Sequence, residues 1–402
     1  MELKKGYKQT EVGVIPKGWD EKPLFEGIEL HSGHHVIAHH CNTQGRGAPY
    51  ITGPADFRNG IIRNSKFTEK PTTICRKDDI LVTVKGSGAG TIILADGEYC
   101  ISRQLMAVRV KKWDTAYVHV TLQRDSSLFG AAATGLIPGL SRGDILNKRI
   151  PIPPLHEQRA IAGALSDVDA LLGALDQLIA KKRDLKQAAM QQLLTGQTRL
   201  PGFHGEWEMK RLGDCLLSRP DYGINAAAVP YSDKLPSYIR ITDISEYGRF
   251  CPDPRVSVKA ANADQYYLHE GDVVFARTGA SVGKSYLYDT HDGELVFAGF
   301  LIRVRPNPET LVAAYLAAYV TTKPYWNWVH LMSMRSGQPG INGNEYAELP
   351  LALPTVAEQT AIAEVLTEMD AELAGLEQRR AKTRALKQGM MQELLTGRTR
   401  LV

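Results

Sequence analysis

The sequence has few cysteines and no pattern among them. The five in 402 residues (Cys41, Cys75, Cys100, Cys215 and Cys251) stand far apart with no Cys-x-x-Cys. That argues against a disulfide framework or a thiolate zinc site, and fits a reducing cytosol. Long apolar runs are also missing: Leu311 to Val320 is about half of what a bilayer-spanning helix needs, so no membrane span is expected. The stretch from Met1 to Tyr7 has no apolar core or cleavage site, so no signal peptide is read there. Together these place the chain in the cytoplasm, as an expectation. Strong charge of either sign is absent, with 48 Lys and Arg against 44 Asp and Glu and a formal net charge of +4. That balance permits nucleic acid as a partner without demanding it. No Gly-x-Ser-x-Gly, His-Glu-x-x-His or kinase signature occurs, and neither does Asn/Asp-Pro-Pro-Tyr or a glycine-rich methyl-donor loop. The chain is therefore not expected to carry out methyl transfer or hydrolysis itself. With 43% apolar and 23% charged residues it reads as an ordinary globular protein, long enough for two or more domains.

What the sequence does have is a duplication. Glu157-Gln158 recurs as Glu358-Gln359, Leu185-Lys186-Gln187 as Leu386-Lys387-Gln388, and Leu194-Thr195-Gly196 as Leu395-Thr396-Gly397, each 201 positions on. Self-similarity at half the chain length means two copies of one architectural unit.

Both copies of the repeated segment read as long helices. Apolar residues fall at Ile161, Leu165, Val168, Leu172, Leu175 and Ile179, alternating steps of four and three, and again at Ile362, Leu366, Met369, Leu373 and Leu376. That spacing makes a coiled-coil seam. Prolines 151, 153 and 154 precede the first helix and Pro354 the second, where a helix can begin but not extend backward. Thr355 with Glu358 has the pattern of a capping box, and Gly196 and Gly397 sit where a helix should end. Helices are expected over about 157–195 and 358–396, roughly 55–60 Å long at 1.5 Å per residue. The length and the run Lys181-Lys182-Arg183 favour an exposed two-helix rod over a hairpin inside a core.

The intervening segments are related more loosely. Each carries Tyr-Ile before a turn (Tyr50-Ile51, Tyr238-Ile239), then an acidic turn, an apolar strand and a glycine loop, Asp79 to Gly90 and Asp272 to Gly283. Each ends in Pro-Gly (Pro138-Gly139, Pro339-Gly340). Short β-rich runs punctuated by glycine and proline suggest two α/β domains, each preceding its helix. The second loop, Gly279-Ala-Ser-Val-Gly283-Lys284-Ser285, resembles a phosphate-binding loop but has three residues between its glycines, not four. Its sister, Gly86-Ser87-Gly88-Ala89-Gly90, lacks the Lys-Ser pair. Glycine-exposed amides beside Lys85, or beside Arg277 and Lys284, suit contacts to DNA phosphates or base edges. A structural turn that uses the glycines for positive φ is the competing reading. His31, His34, His35, His39, His40 and Cys41 crowd together. On a helix His35 and His39 would share a face as a metal pair, but Ser32-Gly33 marks a turn and the second half has no matching histidines. A polar loop facing DNA is the preferred reading, with no metal.

The whole pattern resembles the DNA-specificity subunit of type I restriction–modification enzymes. The resemblance rests on the paired helices with Pro-x-x-x-Glu-Gln at their start and Leu-Leu-Thr-Gly at their end, and on the stretches Tyr7 to Trp19 and Arg199 to Trp207. It implies an α+β fold: two target-recognition domains (1–149 and 198–349) separated by conserved helices (150–197 and 350–402) that pair as an antiparallel coiled coil. The first repeat runs on past Leu200 into a segment like the N-terminal one, so the two ends are expected to close a circle with pseudo-two-fold symmetry. The resemblance further implies a non-catalytic subunit that recognises a bipartite duplex. Two methyltransferase subunits and motor–nuclease subunits would be its partners, holding the S-adenosylmethionine, ATP and magnesium. The DNA-contacting candidates are His34, His35, Lys85, Gly86, Ser87 and Arg103 in the first domain. In the second they are Tyr222, Asn225, Arg277, Thr278, Ser281 and Lys284. Ile161, Leu165, Leu172, Leu175, Ile362, Leu366, Leu373 and Leu376 are the candidates for helix pairing and partner docking. A nucleotide-binding enzyme and a coiled-coil scaffold without DNA recognition are the alternatives.

Overall fold

The computed structural model describes residues 5–58, 60–86, 88–125, 139–334 and 338–401. The chain divides into two compact units, Met1–Asp176 with Gln378–Val402, and Gln177–Glu377. The two long helices, Leu155–Leu193 and Val356–Leu394, each contribute one half to either unit.

Both helices start and stop two residues earlier than their apolar spacing suggested. The Pro154 carbonyl accepts from the amides of Glu157 (2.9 Å) and Gln158 (3.0 Å), so the first turn forms directly on the proline segment. At the far ends Gly196 (φ +71°) and Gly397 (φ +69°) turn the chain away, in the left-handed conformation that glycine adopts most readily. Gly397 has a second reason to be glycine, because a Cβ there would lie 2.5 Å from Pro16. The expected capping box of the second helix forms only in part. The Glu358 amide reaches Thr355 Oγ1 at 3.4 Å, but the Glu358 carboxylate is taken by Arg199 instead of returning to the cap.

The helix segments pack antiparallel within each unit. In the first, Asp169 pairs with Lys387 (2.6 Å) and Asp176 with Arg380 (3.0 Å). In the second, Lys182 pairs with Glu372 (2.7 Å), Lys186 with Asp370 (2.6 Å) and Arg183 with Glu377. Such exposed pairs contribute roughly 0–1 kcal/mol each, so they add little stability. Their sign pattern decides direction. Each helix is acidic in its first half and basic in its second, and a parallel pairing would oppose like charges. Beneath them Ile161, Leu165 and Leu175, then Ile362 and Leu366, are buried, while Leu172, Leu373 and Leu376 are half-buried.

The same two-sheet framework is built twice. In the first unit a four-stranded antiparallel sheet runs Ile92–Leu94, Ile80–Thr83, Leu105–Val110, Ile28–Ser32. In the second the order is Ser285–Leu287, Val273–Ala276, Leu301–Val304, Asp221–Tyr222. The other sheet of each unit contains one parallel pair, Tyr50-Ile51 beside Cys100-Ile101 and Tyr238-Ile239 beside Val296-Phe297. The first unit adds an extra edge strand, Ile74–Cys75. The domains expected as α/β thus carry mostly antiparallel sheet with short helices, because loops that pass from one sheet to the other, rather than helical crossovers, join most of their strands.

Helix Thr115–Arg124 carries the sheets onto the long helices of the first unit. Its Tyr117 is fully buried with Trp19, Ile161, Leu165, Leu394 and Leu395. Its His119 has a buried Nε2 without a hydrogen-bond partner among the described residues. Burial, with Lys387 nearby, pushes that imidazole down to about 4. Below pH 6.5 the unfolded chain takes up a proton that the folded chain refuses, so stability is full above that pH and falls until about pH 4. The loss attributable to His119 is about 3 kcal/mol. Replacing His119 with Leu should flatten the melting-temperature profile between pH 6.5 and 4, measured by thermal denaturation; an unchanged slope would contradict the assignment.

Candidate nucleic-acid interface

The glycine loop of the second unit leaves strand Val273–Ala276, makes a single 3-10 turn at Gly279–Ser281, and returns as strand Ser285–Leu287. A nucleotide-binding loop would instead open a longer α-helix, whose N-terminal amides and dipole favour phosphate. Gly279 (φ +72°) and Gly283 (φ +87°) are both left-handed. At Gly283 space adds to torsion, since a Cβ would come within 2.7 Å of Val329. Tyr325 donates its hydroxyl to the Gly283 carbonyl at 2.7 Å. Lys284, the apparent phosphate lysine, lies 3.2 Å from Glu246. Thr278 bridges to Gly340 and its hydroxyl reaches the Pro339 carbonyl at 3.4 Å, so the Pro-Gly segment stitches the loop to the sheet. Ser281 is half-buried and Asn225 exposed.

The first unit repeats this construction with other side chains. Lys85 stands where Thr278 does, bridged to Gly139, and is exposed; Gly86 is left-handed at φ +89°. Ser87 and Pro138 lie outside the described residues. Arg103 occupies an exposed turn after strand Tyr99–Ile101. His34 and His35 are exposed, and His34 Nδ1 sits 2.8 Å from the Thr73 hydroxyl.

The histidine segment is not a helix across His35 and His39. It runs without regular structure from Gly33 to Ile37 and then makes a 3-10 turn, Ala38–His40. The supposed turn at Ser32-Gly33 is the end of a strand. Glycine is required there because a Cβ would collide with the Ser102 carbonyl at 2.1 Å. Gly223 meets the Phe297 carbonyl in the same way at 2.2 Å. Among the described residues no group of three or more His, Cys, Asp or Glu could hold a metal ion.

The structure brings two of the candidates together. The Arg277 guanidinium lies over the Tyr222 ring, 5.0 Å from its centroid, within cation–π range. The Tyr222 hydroxyl accepts from the Gly343 amide at 3.0 Å, which holds the tip of the ring. One residue was not anticipated from the sequence. Arg142 donates to Ser32 Oγ at 2.7 Å and to the Leu30 carbonyl at 3.1 Å.

A buried carboxylate clasp holds each long helix at its start. Glu157 is fully buried and accepts from both Arg400 and the Trp19 indole, the latter at 2.9 Å. Glu358, equally buried, accepts from Arg199, which lies over Trp207. The next residue does a matching job in both units. Gln158 accepts from the Asp114 amide (2.9 Å) and donates to the Pro153 carbonyl (2.8 Å). Gln359 accepts from the Val312 amide (2.9 Å) and donates to Pro354 (3.0 Å). The Glu-Gln motif is therefore structural. The units differ in one bond, since the Trp207 Nε1 is buried without a partner among the described residues. Replacing Glu157 with Ala should cost about 2–4 kcal/mol, less than a fully buried pair because Arg400 is partly exposed. Glu358→Ala should cost less again by about one hydrogen bond, ~1 kcal/mol. Equal losses in urea denaturation of the two variants would contradict this.

Comparison with known proteins agrees with this architecture. The model of the type I restriction modification DNA specificity domain matches twice, over residues 16–182 and 205–383. The chain belongs to that family. It is similar to the type I restriction enzyme MjaVIII specificity subunit of Methanocaldococcus jannaschii, 23% identical over 88% of this chain and 86% of the relative. It is also similar to the putative MjaX specificity subunit of the same organism, 21% identical over 98% and 97%. Among solved structures, the S subunit of a type I restriction–modification system from M. genitalium matches with a TM-score of 0.61 and 17% identity, covering 98% of both chains. The chain is thus a specificity subunit of a type I restriction–modification system, a non-catalytic role.

Proposed function

We propose that each unit reads one half of a split duplex DNA target and that the chain directs partner methyltransferase and restriction subunits to it. The observation that carries this reading is a repeated framework whose exposed positions differ. Exposed Lys85 is replaced by half-buried Thr278, and half-buried Ser32 by exposed Tyr222, while the glycines and sheet order around them are kept. Two modules reading different half-sites require that combination, with phosphate contacts for position and side chains for specificity. Two methyltransferase subunits and a motor–nuclease subunit would complete the enzyme in the cytoplasm. They would hold S-adenosylmethionine, ATP and magnesium, with none on this chain. A modest net charge suits a subunit whose partners help neutralise phosphate. A nucleotide-hydrolysing loop is disfavoured by its return into a strand and by the Lys284–Glu246 pair.

Arg277→Ala discriminates between modes of contact. If the guanidinium meets a base edge, the variant should lose roughly 1–3 kcal/mol of discrimination at the second half-site alone. If it meets phosphate, affinity should fall for all sequences with a shallower salt dependence. Unchanged affinity, sequence preference and salt slope, measured by duplex binding across a salt series, would contradict any contact.

A further inference from the structure

The two units place an arginine at one point of the shared framework but supply it from different positions. Backbone pairing fixes the correspondence. Ser32 faces Met106 across the outer strand pair, as Tyr222 faces Ile302. Leu140 donates its amide to the Val84 carbonyl (2.8 Å), as Ile341 does to Arg277 (2.9 Å). Ser141 and Asn342 cap the equivalent short helices Arg142–Leu146 and Gly343–Ala347. Position for position, Ser32, Val84 and Arg142 in the first unit match Tyr222, Arg277 and Gly343 in the second.

At these three positions the residues exchange roles. Where the strand carries the large Tyr222, the facing helix residue is Gly343, whose Cβ would lie 3.5 Å from the Tyr222 hydroxyl and 3.4 Å from Pro220. Arg277 then comes from the end of strand Val273–Ala276, two strands away in the sheet, and lies on the tyrosine ring. Where the strand carries the small Ser32, room opens for a long side chain from the helix, and Arg142 fills it, gripping Ser32 Oγ and the Leu30 carbonyl. Val84, in the place of Arg277, is buried.

We infer that Arg142 is the specificity-determining arginine of the first unit, the counterpart of Arg277 in the second. This rests on the reading that the units bind DNA. Arg142 is exposed, and its two bonds use two of five N–H donors, leaving three for a ligand. Fixing the guanidinium before binding lowers the entropic cost of each new hydrogen bond. The anchor also links to a histidine already singled out: Thr73 donates to the Ser32 carbonyl (2.9 Å) and its hydroxyl lies 2.8 Å from His34 Nδ1. Arg142, Ser32, Thr73 and His34 thus form one polar chain on a single exposed edge. The fork geometry of arginine selects guanine, through its O6 and N7 acceptors, as the base it would read.

The test uses the full chain expressed with its methyltransferase partner and a library of randomised duplex DNA, from which bound molecules are recovered and sequenced. The wild type should return a motif in two separated halves. Arg142→Ala should lower the preference for guanine at one position of one half by about ten- to hundredfold, and Arg277→Ala should leave the preference at that position intact. Arg142→Lys keeps the charge without the fork and should lose the same preference. A wild type that selects no motif would defeat the DNA-reading account and the inference with it. An intact motif in Arg142→Ala at an unchanged melting temperature would defeat the inference alone. So would an even weakening of all duplexes, or full discrimination by Arg142→Lys.

Discussion

A fully buried carboxylate at the start of each long helix is the constraint on which the remainder depends. Glu157 and Glu358 have no exposed surface, and an ionised carboxylate so placed must be met by a cation and further donors. Arg400 and Arg199 meet them, each from the segment that follows the opposite end of a long helix in its own unit. The clasp therefore fixes where each helix begins, which segment lies across it, and where Trp19 and Trp207 sit. The adjacent glutamines add the short helices of the recognition domains by holding the Asp114 and Val312 amides. Helix, crossing segment and domain are tied at one point in each unit.

From that point the two halves of the chain diverge in a controlled way. The parts that transmit geometry are kept: the clasp, the left-handed glycines, the Pro-Gly bridge and the sheet order. Aspartates at the start of the central strand keep their arginine partners as well, Asp79 with Arg109 (2.7 Å) and Asp272 with Arg303 and Arg305. The exposed residues around the glycine loops are not kept. A binding module whose sequence preference changes while its framework stays needs this separation, because altering a buried partner costs several kcal/mol whereas surface exchanges cost little.

Much of the framework was legible in the sequence, for a physical reason. The duplication, the heptad seam and the Tyr-Ile and glycine-loop matches all reflect demands of the backbone or of close packing that few residue types satisfy. Ile161 and Ile362, or Gly86 and Gly279, announce themselves by spacing. Long-range partners did not. Arg142 gains its meaning from Ser32, 110 residues away, which the fold places beside the start of its short helix. Lys284 looked free until Glu246 appeared beside it, and the Thr355–Glu358 capping pattern failed in part because Arg199 competed for the same carboxylate. In the histidine cluster, a composition of ligand-type residues says nothing of convergence. The parallel pairing of Tyr50-Ile51 with Cys100-Ile101 has no local signature at all.

The central claim is that the two recognition modules read DNA independently on a common scaffold. Exchanging residues 20–135 for the equivalent segment of another family member, and mapping methylated sites across the genome of a host expressing the complete enzyme, tests it most directly. The account predicts that one half of the target changes and the other stays as it was. A target altered in both halves, or in neither, would contradict it.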